Sequence, residues 1–160
     1  MVASSFAPRQ ALLAITVLGL AGVGAALTGQ YGFDMRPCPW CILQRLLFVL
    51  IALLALVGAA TRARAAQRAT AGAVLLLTAP GIAAALWQHF VAAKSSSCSL
   101  TFADKLLAAL HVESLSGGLF GVTGSCADAA VDLLGVPFEF WSLALFVVLG
   151  GLALRALRRG

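Results

Sequence analysis

Two cysteines three positions apart carry the first chemical signal. Cys38 and Cys41 stand in the run Arg36-Pro37-Cys38-Pro39-Trp40-Cys41. A disulfide between them closes a very small loop and removes little entropy from the unfolded chain, so it makes a poor structural staple. A C-x-x-C pair at the start of a helix is the usual form of a reactive dithiol. Pro39 suits the first turn of that helix, and the positive end of the helix dipole favours thiolate at Cys41. Thiolate is both the attacking form and the better leaving group in thiol–disulfide exchange. Arg45 follows Cys41 by four residues, on the same helix face and about 6 Å further along. A cation there stabilises thiolate or the anion of a reduced electron acceptor. The competing reading is a side chain snorkelling to lipid headgroups.

Two more cysteines, Cys98 and Cys126, lie far downstream. Cys98 follows the polar run 94–97, and Cys126 follows a glycine-rich stretch over 117–125. Both are expected to be mobile and accessible, as a thiol that meets a protein partner must be. Four cysteines allow three pairings, and their order does not choose among them. Metal is not expected, because Cys98 and Cys126 are 28 residues apart and neither His89 nor His111 stands at a metal-like spacing from any cysteine.

The elements that must position these sulfurs are membrane helices. The chain of 160 residues is 61% apolar and only 11% charged, against about 25% charged in a soluble domain. Its apolar residues fall in four blocks, over about 11–29, 42–60, 71–90 and 138–157. A helix of about 20 residues crosses roughly 30 Å of hydrocarbon, and in lipid the backbone must satisfy itself. The expected fold is therefore an all-α membrane protein, a single bundle of four transmembrane helices spanning 1–160. Pro80 should kink the third helix.

Threading the four spans puts Arg9, Arg62, Arg64, Arg68, Arg155, Arg158 and Arg159 on one side. Arg36, Arg45, Lys94, Lys105 and all six acids fall on the other, so the two sides carry +7 and −2. The Arg-rich side is expected to be cytoplasmic, with both termini inside. The net charge of +5 is thus placed for a bilayer, not for nucleic acid. A cytoplasmic loop covers about 61–70. Two outer loops cover about 30–41 and 91–137, and they hold all four cysteines, which fits an oxidising compartment. A cleaved leader in place of the first span would leave the other three unchanged. In the long loop, Phe102, Leu106 and Leu110 make an apolar stripe at helical spacing. This short amphipathic helix either lies in the membrane surface or packs on the bundle. Trp40, Trp87 and Trp141 fall at outer boundaries, as an aromatic belt would.

Three segments together resemble the DsbB family of disulfide bond formation proteins. They are Pro37-Cys38-Pro39-Trp40-Cys41-Ile42-Leu43-Gln44-Arg45, Gly124-Ser125-Cys126-Ala127-Asp128, and Leu133-Leu134-Gly135-Val136-Pro137 followed by Trp141-Ser142-Leu143. Their order and spacing agree with the family over nearly the whole chain. The resemblance implies a bacterial inner-membrane enzyme, a protein-dithiol:quinone oxidoreductase with its cysteines facing the periplasm. It implies that Cys98 and Cys126 accept electrons from a reduced periplasmic thioredoxin-fold partner of the DsbA type, with Cys98 forming the mixed disulfide. It further implies an interloop Cys38–Cys126 bond, contact of Cys41 with a membrane quinone (ubiquinone or menaquinone), and a quinone-binding role for Arg45. Gln44 stands where some members have an acid. The outer part of the third span lacks the histidine or arginine frequent in the family, and His89 lies slightly too far along. No proton donor to the quinone is thereby assigned.

Two other readings are open to the same residues. One is a non-enzymatic four-span protein whose loops are stapled by structural disulfides; the short C-x-x-C and Arg45 count against it. The other is a four-span reductase passing electrons to a quinone-like small molecule, in which the C-x-x-C would be expected late in the chain and not early.

Overall fold

The structure, a computed structural model, describes residues 8–94, 101–115 and 118–159. Cys98 lies outside the described residues. Four long helices dominate: α1 (Pro8–Gly32), α2 (Pro39–Ala60), α3 (Arg64–Phe90) and α6 (Phe138–Arg159). All four are long and apolar enough to cross a membrane, so the chain is an all-α, four-span, multi-pass membrane protein. The helices run a few residues beyond the apolar blocks at most ends. Pro80 sits inside α3 without ending it, although a proline leaves the carbonyl four residues earlier, on Leu76, without its helical donor.

The helices form a ring in which α1 and α3 each pack against α2 and α6. The centre is filled by Leu12, Ile15, Ile51, Val74, Phe146 and Leu149, all almost fully buried. Across the middle, the Phe48 and Phe146 rings stack with centroids 4.1 Å apart. Two glycines permit this closeness. A Cβ on Gly81 would collide with the Phe146 ring, and one on Gly19 would sit 3.2 Å from Ala52 Cβ. The outward faces carry Val17, Leu53, Val57, Leu76 and Val147, all exposed, which is the pattern expected where the solvent is hydrocarbon. Inside, Thr16 Oγ1 donates either to its own helix at Leu12 O (3.1 Å) or across to Ala52 O (3.3 Å).

The long loop carries α4 (Phe102–Ala109), the four-residue α5 (Val112–Leu115) and a hairpin of β1 (Asp132–Leu133) and β2 (Val136–Pro137). The hairpin is antiparallel and pairs Leu133 with Val136. Thr101 and Asp104 close a reciprocal capping box that starts α4. The stripe expected from the sequence is not the face that packs. Ala103 and Leu107 are buried, Leu106 is half-buried, and Phe102 and Leu110 remain exposed. The small Ala103 lets α4 approach the bundle, and the bulkier Phe102 and Leu110 are left on its outer side.

Candidate active site

The site lies at the ends of the helices opposite the arginine-rich ends. Cys38 is the N-cap of α2, with extended backbone (φ −87°, ψ 168°), and Pro39 opens the helix. This geometry turns the Cys38 sulfur back over the first turn. Its Sγ accepts the Cys41 backbone N–H at 3.4 Å, and the two sulfurs stand 3.0 Å apart. Cys38 is completely buried and Cys41 half-buried.

Cys126 arrives at the same point from the long loop. The backbone N–H groups of Thr123 and Gly124 both donate to Pro37 O, at 3.1 and 3.2 Å. Gly124 lies so close to Arg36 that an added Cβ would be 2.7 Å from Arg36 Cβ and 2.9 Å from its carbonyl oxygen. The next turn is locked by Asp128, whose Oδ2 accepts from Ser125 N (3.0 Å) and Ser125 Oγ (2.8 Å). These hydrogen bonds hold the exposed Asp128 carboxyl below the usual carboxylate range. Cys126 in this anchored loop is not fully accessible, contrary to the sequence expectation. Cys126 is half-buried, packed with Cys38, Trp40 and Ala129.

Three sulfurs therefore meet, with Cys38 between the other two. Cys38 hydrogen-bonds to both Cys126 and Cys41 and is buried, so its thiol pKa is pushed up. The Cys126 thiol is pushed down, mainly because it accepts from Cys38, with help from the Trp40 backbone N–H. Of these two thiols Cys126 is thereby the more readily ionised.

Inward from Cys41 the site is polar within an apolar bundle. Gln88 Nε2 donates to Cys41 Sγ at 3.2 Å, and its Oε1 accepts from Gln44 Nε2 at 2.7 Å. Arg45 does not snorkel outward. It is buried, and its guanidinium donates to Gln30 Oε1 (2.8 Å) and Leu119 O (2.5 Å). Arg45 and Cys41 line one cleft of about 360 Å³, whose walls include Ala26, Met35, Val131 and Phe138.

Trp40, between the paired cysteines, is buried and tilts against Trp87 with ring centroids 6.4 Å apart. It is therefore a wall of the sulfur cluster, not a residue of an aromatic belt. His89 packs against the rings of Phe90 and Phe140, whereas its neighbour Gln88 reaches the sulfur. Gln30, Gln88 and Glu139 are the site residues that motif reading missed. Their signal was simply a polar side chain near the end of an apolar span, which looks the same as a boundary residue.

Comparison with known proteins gives the family. The profile of the family described as "Disulfide bond formation protein DsbB" matches residues 8–156. Disulfide bond formation protein B 1 of Pseudomonas syringae pv. syringae (strain B728a) is 34% identical over 143 residues, covering 88% of this chain and 83% of the relative. Disulfide bond formation protein B of Burkholderia pseudomallei (strain K96243) is 30% identical over 142 residues, covering 88% and 84%. Disulfide bond formation protein B 1 of Pseudomonas fluorescens (strain Pf0-1) is 32% identical over 143 residues. No solved structure matches.

Proposed function

Because this chain belongs to the DsbB family of disulfide bond formation proteins, we propose that it is an inner-membrane oxidase that makes disulfides for a periplasmic dithiol partner and sends the electrons to a membrane quinone. The observation that carries the reading is the meeting of Cys38, Cys41 and Cys126 at one point. A scaffold stapled by isolated disulfides has no use for a third sulfur within exchange distance of a pair.

The exchange passes through these positions in turn. A thiolate of the reduced partner, a thioredoxin-fold protein of the DsbA type, attacks Cys98 in a Cys98–Cys126 disulfide and releases Cys126 as thiolate. That thiolate attacks Cys38 in the Cys38–Cys41 disulfide, forming Cys38–Cys126 and releasing Cys41. The partner's second thiol displaces Cys98 and leaves as the oxidised protein. Cys98 then attacks Cys126, restoring that bond and leaving Cys38 and Cys41 as a dithiol. A quinone held beside Cys41 would supply a two-electron, two-proton sink, through which the Cys38–Cys41 dithiol would return to the disulfide. The balance is one partner dithiol and one quinone in, one partner disulfide and one quinol out.

The cleft beside Cys41 suits a flat apolar ring with polar oxygens. Ala26, Met35, Val131 and Phe138 offer apolar walls, and the buried Arg45 Nε–H has no partner among the described residues. Arg45 would hold a carbonyl oxygen there, and Gln88 orients the Cys41 sulfur. The arginine-rich ends would face the cytoplasm, and the sulfurs would then face the periplasm.

The test is turnover of purified protein with a reduced thioredoxin-fold dithiol protein and a soluble ubiquinone analogue. Cys38→Ser and Cys41→Ser should each abolish quinol formation. A partner lacking its second cysteine should be trapped on Cys98, as mass spectrometry of the adduct would identify. Full turnover in both serine variants would rule the reading out.

A further inference from the structure

Glu139 is an ionisable group at the site that the exchange above does not use. It lies in the first turn of α6 and is 2% exposed. Both of its carboxyl oxygens are enclosed, and neither has a hydrogen-bond partner among the described residues. An unpaired buried carboxyl is costly, and acids within membrane spans are retained mainly where they act. The carboxyl lines a small cavity, of about 260 Å³, together with Cys41, Gln44 and Arg45 of α2, Gln88 of α3 and Ser142 of its own helix. The two glutamine amides and Nη1 of Arg45 are engaged with other groups. Gln44 and Gln88 are tied to each other and to Cys41, and Arg45 is turned to Gln30 and Leu119. His89 does not line the cavity and packs on the Phe140 ring instead. Glu139 is thus the acid of the cavity, facing the innermost reactive sulfur with nothing holding it in place.

We propose that Glu139 is the proton carrier between the Cys41 thiol and the electron acceptor. The inference rests on the quinone-linked reading. Oxidation of the Cys38–Cys41 dithiol removes two electrons and frees two protons, and reduction of a quinone to quinol consumes two of each. The carboxylate of Glu139 takes the proton that leaves Cys41, and its acid form gives that proton to an acceptor oxygen. The carboxylate is restored, and the quinol's second proton is the one released from Cys38. A carboxylate beside Cys41 also repels a thiolate there, so proton loss and electron loss are coupled.

The measurement pairs two readouts on the full chain. The first uses Cys41 as sole cysteine, without quinone, and follows its alkylation rate against pH. Glu139→Gln should move the midpoint to lower pH and raise the rate at neutral pH several-fold, because a like charge has gone. The second uses the chain with all four cysteines. There Glu139→Gln should slow quinol formation by about tenfold or more, on the scale of general acid–base contributions, and Glu139→Asp should recover part of it. A sulfur made more reactive in a slower enzyme is an outcome that mere loosening of the bundle does not give. An unchanged alkylation profile, unchanged turnover, or equal losses in both readouts would each overturn the proposal. Wild-type protein that fails to reduce quinone at all would instead sink the functional reading, and the alkylation arm would still report whether Glu139 faces Cys41.

Discussion

At the scale of single residues, the proposed reactive centre sets two neighbouring thiols, Cys38 and Cys126, apart in acidity. Cys38 donates, Cys126 accepts, and the Cys126 thiol is thereby lowered and the Cys38 thiol raised. A lowered thiol is attack-competent at a pH where an ordinary one is still protonated. Under reductant, in a chain with Cys41 and Cys98 replaced by serine, Cys126 should alkylate with a midpoint below that of an unperturbed thiol. Cys38→Ala removes the donor, and burial then acts without opposition from it, so the midpoint should rise. A midpoint that stays put or falls would show that Cys38 does not set the charge on Cys126. The pair Cys38 and Cys41 and the cation four residues on were legible in the sequence, because spacing on a helix is local. Glu139 and Gln88 were not. Their importance comes from α3 and α6 converging on Cys41, and no local pattern encodes which polar residue near a span end turns inward.

At the scale of elements, the loop is a positioning device rather than a tether. Two backbone hydrogen bonds to Pro37 O and the Ser125–Asp128 turn bring Cys126 to the N-cap of α2. Gly124 makes the approach possible, since its neighbour on the other strand of chain is Arg36 backbone, which cannot step aside. Gly124→Ala should therefore push the loop off by a few tenths of an ångström or more, at a cost of about 1–3 kcal/mol as for other overpacked sites. Oxidation of a Cys41→Ser, Cys98→Ser chain should give markedly less Cys38–Cys126 disulfide in this variant, with Cys38–Cys41 formation unaffected in a Cys98→Ser, Cys126→Ser chain. Equal yields with and without the methyl would contradict the role given to Gly124. The glycine-rich run before Cys126 suggested a supple approach, but this glycine is there for closeness and not for motion. The same distinction explains α4. Its periodicity was visible over 102–110, but the buried face follows the small Ala103 against the bundle, and periodicity alone does not say which face meets a neighbour.

At the scale of the whole molecule, the four spans were legible because lipid leaves the backbone little choice, and the described helices contain the apolar blocks almost entirely. What lies between the spans was only partly legible, since loop packing depends on contacts distant in sequence, such as Tyr31 Oη to Gly118 O. Orientation is the remaining global property, and charge argues it. Arg62, Arg64, Arg68, Arg155 and Arg158 gather at one end, and the sulfur cluster lies at the other, so the proposed topology places every redox step on the side away from cytosolic reductants. In a cysteine-free chain expressed in a Gram-negative host, Ser125→Cys should react with a membrane-impermeant maleimide as soon as the outer membrane is opened. Arg64→Cys, also at an exposed position, should react only after the inner membrane is lysed. The reverse order would put the dithiol in a reducing compartment, where a re-formed disulfide would not persist and the electron route from partner to quinone would have no reason to exist.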